Sequence, residues 1–124
     1  MAFPFFHAME KLIKLKENYE FRRAYTRGKS YVTPYFVIYL FKTKKTTVRL
    51  GITTGKKLGG AVSRNRARRI ITAALRESLP RLKGGYDVVI VARTRILDLK
   101  STEVSEWMNR QWETAGVLYE TQTD

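Results

Sequence analysis

Residues 86–92 read YDVVIVA, and this nearly continuous apolar run constrains the fold more than any other stretch of the chain. A strand that is apolar at successive positions has no side to turn to water, so it belongs inside a sheet with both faces buried. Residues 35–43, rich in β-branched and aromatic side chains, read as another strand. Alternation places Phe36, Ile38 and Leu40 on one face of it and Tyr35, Val37, Tyr39 and Phe41 on the other. Residues 48–53 read as the strand returning from a polar turn, which predicts a hairpin with the preceding strand. Residues 29–34 read as extended.

Three stretches carry helical signals. The first opens with Asn18 as N-cap and Glu20 in its first turn and closes at Gly28, with Phe21, Ala24 and Tyr25 at i, i+3, i+4 spacing. Aromatics at that spacing ordinarily pack into a core. The second runs from Ala61 or Ser63 to Leu79, where Pro80 stops it. The third follows Ser101 as N-cap and ends at Gly116, with Val104, Trp107, Met108, Gln111, Trp112 and Ala115 on one face, both tryptophans reading as core. The expected architecture is a single-domain α+β sandwich over residues 1–124, three helices on a mostly antiparallel four-stranded sheet. Residues 1–9 read as a loosely ordered leader and 117–124 as a frayed tail. If the strands before and after the second helix lie parallel, that helix is a βαβ crossover, right-handed by default.

The second helix and the turn before it hold the chemistry, in residues 56–76 (KKLGGAVSRNRARRIITAALR). On a helical wheel Ala67, Ile70, Ile71, Ala74 and Leu75 share an apolar arc, opposite Asn65, Arg69, Thr72 and Arg76. Arg64, Arg68 and Arg66 border the polar side. A helix packed on one face and studded with guanidinium groups on the other suits phosphate. Asn65 adds an amide able to read a base edge or a sugar hydroxyl. Lys56 and Lys57 sit in a glycine turn whose amides can approach phosphate, although neither a Walker loop nor a dinucleotide fingerprint is present.

Net charge agrees: 24 Lys and Arg against 11 Asp and Glu give +13 in 124 residues, which points to a polyanion, with nucleic acid ahead of a membrane surface. If roughly six phosphates were neutralised, affinity would fall by about three decades between 50 and 200 mM salt. The longest apolar run is strand-length, far below the roughly 18–20 residues of a membrane span. No cysteine is present, and His7, the only histidine, stands in the leader, so nucleophilic and metal-centred constellations are missing. Neither a catalytic residue nor a metal ligand is expected.

Residues 56–76, with Lys56-Lys57, Gly59, Ala61-Val62, Arg64-Asn65-Arg66 and Arg68-Arg69, resemble the signature of the bacterial ribonuclease P protein component. Asn18, Phe21, Tyr25 and Gly28 resemble that family's first helix, 36–39 its cleft strand and 86–93 its late strand. The resemblance implies a cytoplasmic protein, 1:1 with a catalytic RNA subunit, which helps that RNA remove the 5′ leader of precursor tRNA. Hydrolysis would belong to the RNA, as would most of the magnesium. Lys56, Lys57, Arg64, Asn65, Arg66, Arg68, Arg69 and Arg76 would meet the RNA subunit. Phe21, Tyr25, Phe36 and Tyr39, with Arg64, Asn65 and Arg68, would hold the single-stranded leader. No membrane and no small-molecule substrate are implied, and the crossover would be left-handed. Gly60, Thr72, Ala73 and Leu75 depart from the family's usual residues, which affects the outer end of the helix more than its central cluster. A ribosomal or general RNA-binding protein without a processing role would explain the same charge and fold class.

Overall fold

The computed structural model describes residues 13–119. Its strands are β1 (Ile13–Lys14), β2 (Lys29–Val32), β3 (Phe36–Lys42), β4 (Val48–Thr53) and β5 (Tyr86–Ala92), in one sheet of order β1-β4-β5-β3-β2. The apolar run 86–92 is β5, and it occupies the centre. It is antiparallel to β3 and parallel to β4, while β1 pairs parallel with β4 and β2 antiparallel with β3. The sheet is thus five-stranded and mixed, where a mostly antiparallel four-stranded one was expected. The leader proposed at residues 1–9 lies outside the described residues.

The expected hairpin of β3 with β4 does not form, because β5 lies between them. Residues 43–47 step across the end of β5 instead of turning tightly. Thr43 N donates to Gly85 O at 2.7 Å and Gly85 N to Thr47 O at 3.0 Å, so the link is bonded to the approach to β5. Gly84 packs flush beneath it, since a Cβ there would lie 1.8 Å from the Thr46 carbonyl oxygen.

Helices α1 (Asn18–Arg27), α2 (Ala61–Ser78) and α3 (Ser101–Ala115) cover both faces of the sheet. The alternation in β3 and β5 decides which residues meet which helix. Phe36, Ile38, Leu40, Val88 and Ile90 meet Ala67, Ile71, Leu75, Val104, Met108 and Trp112 of α2 and α3 in the larger core. On the opposite face Leu15, Ala24 and Val89 are buried, with Phe21, Tyr39, Phe41 and Val91 packed around them. Because α2 joins the parallel neighbours β4 and β5, it is the βαβ crossover.

Asn18 is the first residue of α1 instead of its cap, which is Glu17. Gly28 ends that helix where the chain passes against β3: a Cβ there would lie 2.7 Å from the Leu40 carbonyl oxygen. In α3, Trp112 is buried and donates from Nε1 to Ser78 Oγ at 3.1 Å. Trp107 is only half-buried, packing edge-on against Tyr35 with the Arg110 guanidinium over its ring. Tyr35 precedes β3 and so escapes the strand's alternation, joining the larger core. In the expected tail, Val117 is buried and Leu118 bridges to Leu82, so the chain is held as far as Tyr119, whose N donates to Arg81 O.

A charged network fastens α1 to the sheet. Asp87, buried within the otherwise apolar β5, accepts from Arg49 Nε at Oδ1 and from Arg49 Nη2 at Oδ2, both at 2.7 Å. Arg49 Nη1 also donates to Glu20 Oε2 of α1. Arg23 Nη2, one turn along α1, donates to Asp87 Oδ2 at 3.0 Å. Glu20 Oε1 accepts from the amides of Glu17 at 3.0 Å and Lys16 at 3.2 Å, closing the start of the helix. These amide bonds, led by that from Glu17 and joined by the Arg49 charge, hold the Glu20 carboxyl below its ordinary value of 4.5 although burial opposes them.

A carboxylate with a lowered folded pKa stabilises the fold above its unfolded value, and that contribution is lost as pH falls through the folded one. Denaturant titrations between pH 3 and 7 are therefore expected to show native stability declining below about pH 4.5, with a shallower decline in Glu20→Gln. The variant loses about 1–3 kcal/mol at neutral pH. An equally steep decline in the variant contradicts the assignment to Glu20. Phe36→Ala, emptying a fully buried site, is expected to cost about 3–5 kcal/mol in the same titration.

Candidate nucleic-acid interface

The arginine cluster is presented by a turn that is itself anchored. After β4 the chain makes a short 3₁₀ turn, Lys56–Leu58, in which Leu58 is buried and Lys56 and Lys57 are exposed. Gly59 follows with φ +108°, a conformation that L side chains avoid, and Gly60 opens α2. Asn65, Arg66, Arg69 and Arg76 project to solvent, while Arg64 is half-buried. The apolar arc behaves as the wheel requires, with Ala67, Ile71, Ala74 and Leu75 buried and Ile70 half-buried.

Arg68 behaves differently from its neighbours. Its Nη1 donates to the Ile52 carbonyl oxygen of β4 at 3.3 Å, which lays the side chain back along the sheet edge. β1 pairs with β4 only at Arg49 and Leu50, leaving the edge open at Ile52. A cavity of about 590 Å³ lies there, its walls including Arg68, Thr72 and Leu75 of α2, Gly51 and Ile52 of β4, and Phe21 of α1. Arg64, one turn before Arg68, shares that side of the helix. The cluster therefore divides into a part beside the cavity and a part facing outward.

Phe21 joins this cavity to the aromatic surface on the α1 face. Its ring lies directly on Gly51, where a Cβ would come within 2.4 Å of Phe21 Cε1. Tyr25, 39% exposed, meets Tyr39 edge-to-face with centroids 4.9 Å apart at 76°. Its hydroxyl is 3.2 Å from Thr53 Oγ1 at the end of β4. The Arg23 guanidinium lies over Phe41, 4.6 Å from the ring centre.

Phe36 does not belong to this surface. It is fully buried in the core beneath α2 and α3, because alternation turns it away from the face carrying Tyr39. Phe41, Thr53, Thr72 and Arg23 belong beside the expected residues and were not among them. The sequence signals for them are faint: Phe41 shares the parity of Tyr39, and a lone carboxylate in an apolar strand, Asp87, requires cationic partners. Those partners prove to be Arg49 and Arg23.

A family model for ribonuclease P matches residues 9–116. The ribonuclease P protein component of Clostridium novyi is 37% identical over 111 residues, spanning 88% of this chain and 98% of that protein. That of Natranaerobius thermophilus is 37% identical over 91 residues, spanning 73% and 79%. Among solved structures, a Staphylococcus aureus RNase P protein mutant with defective mRNA degradation activity matches with TM-score 0.78 and 30% identity, covering 92% of this chain and 97% of that one. The Thermotoga maritima RNase P protein in complex with 1-(4-fluorophenyl)-2-thiourea matches with TM-score 0.70 and 26% identity, covering 78% and 94%. The match of fold, of length and of nearly the whole sequence means that this chain belongs to the ribonuclease P protein component family.

Proposed function

We infer that this chain acts in tRNA processing as the protein subunit of ribonuclease P, a ribonucleoprotein endoribonuclease, binding its catalytic RNA and the 5′ leader of precursor tRNA as a single RNA-binding domain. The observation that carries this reading is the continuity of two surfaces. Phe21 lies both beside Arg68 in the cavity wall and in the cluster with Tyr39 and Phe41, with Tyr25 one turn further along α1. Basic groups beside the exposed Tyr25 and the half-buried Phe21, Tyr39 and Phe41 suit a single strand, whose phosphates and unstacked bases need both. The outward Asn65, Arg66, Arg69 and Arg76, with Lys56 and Lys57, suit the backbone of the RNA subunit. The leader set is therefore Phe21, Tyr25 and Tyr39 with Arg64 and Arg68, joined by Arg23 over Phe41; Phe36 has no part in it.

Catalysis and magnesium belong, on this reading, to the RNA. Among the described residues no three His, Cys, Asp or Glu side chains converge on a possible metal site. Glu20 and Asp87, which share Arg49, are bonded to arginines and do not fit magnesium. The protein would bind 1:1, work in the cytoplasm where transcripts are processed, and carry the left-handed crossover that the family resemblance implies.

Three outcomes test this. At low magnesium, adding the chain to its catalytic RNA is expected to increase precursor cleavage and substrate affinity; no increase in either leaves only general RNA binding. Tyr25→Ala is expected to weaken affinity for a precursor with a leader about ten-fold while sparing leaderless tRNA, since a stacked base contributes about 1–3 kcal/mol. Its thermal stability should stay near native because Tyr25 is exposed. Arg64→Ala and Arg68→Ala are each expected to lower the salt slope of RNA binding by about one, as measured in affinity titrations.

A further inference from the structure

We propose that the lysine-bearing link between β3 and β4 is a second RNA contact, gripping backbone phosphates of the RNA subunit. It rests on the reading of this chain as that RNA's partner. No aspartate or glutamate stands between Glu20 and Glu77, so positive charge on this stretch is offset only by residues brought from elsewhere. Arg49 and Arg23 have such partners in Glu20 and Asp87. Lys42, Lys44 and Lys45 are exposed, and among the described residues none is paired with a carboxylate.

The geometry separates this cluster from the arginine helix. The link enters β4 at Val48, whereas Lys56, Lys57 and the start of α2 follow its other end at Thr53. Six residues of strand span roughly 20 Å, so phosphates held by one cluster are out of reach of the other. The link is also pre-set. Thr43 N and Thr47 O are bonded to Gly85, and Lys45 N donates to Thr43 Oγ1 at 3.2 Å. Lys83, on the segment packed beneath, donates to Gly116 O at 3.5 Å and is engaged with the end of α3. A fixed backbone lowers the ordering cost of binding.

The chemistry selects backbone over bases. Residues 42–47 (KTKKTT) offer ammonium and hydroxyl groups, with no aromatic ring for stacking and no amide for a base edge. Tyr25, whose hydroxyl meets Thr53, and the start of α2 stand at the far end of β4, and only Arg23 over Phe41 brings the proposed leader surface towards the link. Ammonium groups that grip backbone and read no base serve the RNA that remains bound between substrates.

The test measures affinity of the full chain for the RNA subunit alone across about 50–200 mM salt, for the native protein and K42Q/K44Q/K45Q. The log–log slope is expected to become shallower by about two to three, and K42R/K44R/K45R to restore it. An unchanged slope overturns the proposal, as does an effect confined to precursor affinity. On the native protein, acetylation of Lys44 and Lys45 read by mass spectrometry is expected to fall several-fold in the complex; equal labelling free and bound overturns the proposal without any variant. A native chain that binds no RNA subunit sinks both readings, whereas one that binds and stimulates cleavage with an unchanged triple-variant slope sinks only this one.

Discussion

Arg49 is the interaction on which the cleft depends. Its guanidinium bridges Asp87 of the central strand and Glu20 of α1, so a single side chain sets where the helix lies on the sheet. Burying such charges is costly, and a well-packed apolar replacement can equal them in stability. What an apolar patch lacks is direction. Two parallel bonds to Asp87 and a third to Glu20 admit one placement, whereas the small cluster of Leu15, Ala24 and Val89 would permit α1 to slide. Phe21 and Tyr25 take their positions from that placement.

A second constraint acts at the same interface through the absence of a side chain. Gly51 has no Cβ where Phe21 lies on β4, which lets the ring extend from the α1 cluster into the wall of the cavity holding Arg68. Any larger residue would move the ring, separating aromatic from basic groups. The proposed leader surface thus depends on a glycine in a strand, a position where glycine otherwise weakens pairing and often marks close approach of another group.

The sequence made some of this legible and hid the rest for identifiable reasons. β5 was plain because burial on both faces leaves a run of apolar residues, and α2 and α3 were plain because their stripes repeat with helical period. Pairing was less accessible. Adjacent strands joined by a short polar link imply a hairpin, and nothing local in residues 43–47 reports that β5 will insert between them. β1, two residues long, is too short to carry a period. At the site, the exposed basic residues of α2 were legible from the wheel. Family likeness points Phe36 at the cleft, whereas the alternation of β3 sets it opposite Tyr39, in the core.

The distribution of charge connects these points. Acidic residues lie outside residues 21–76 in sequence, yet Glu20 and Asp87 come to the place where Arg49 and Arg23 of that stretch pack between α1 and the sheet. Folding therefore consumes the charge of Arg49 and part of that of Arg23, leaving the remaining cations on the surface. Had the acids been spread along the segment, i, i+4 pairing would have satisfied the arginines of α2 locally and lowered its attraction for phosphate. Keeping the acids apart in sequence lets the fold neutralise cations where it needs packing and leave them free where an anion has to bind.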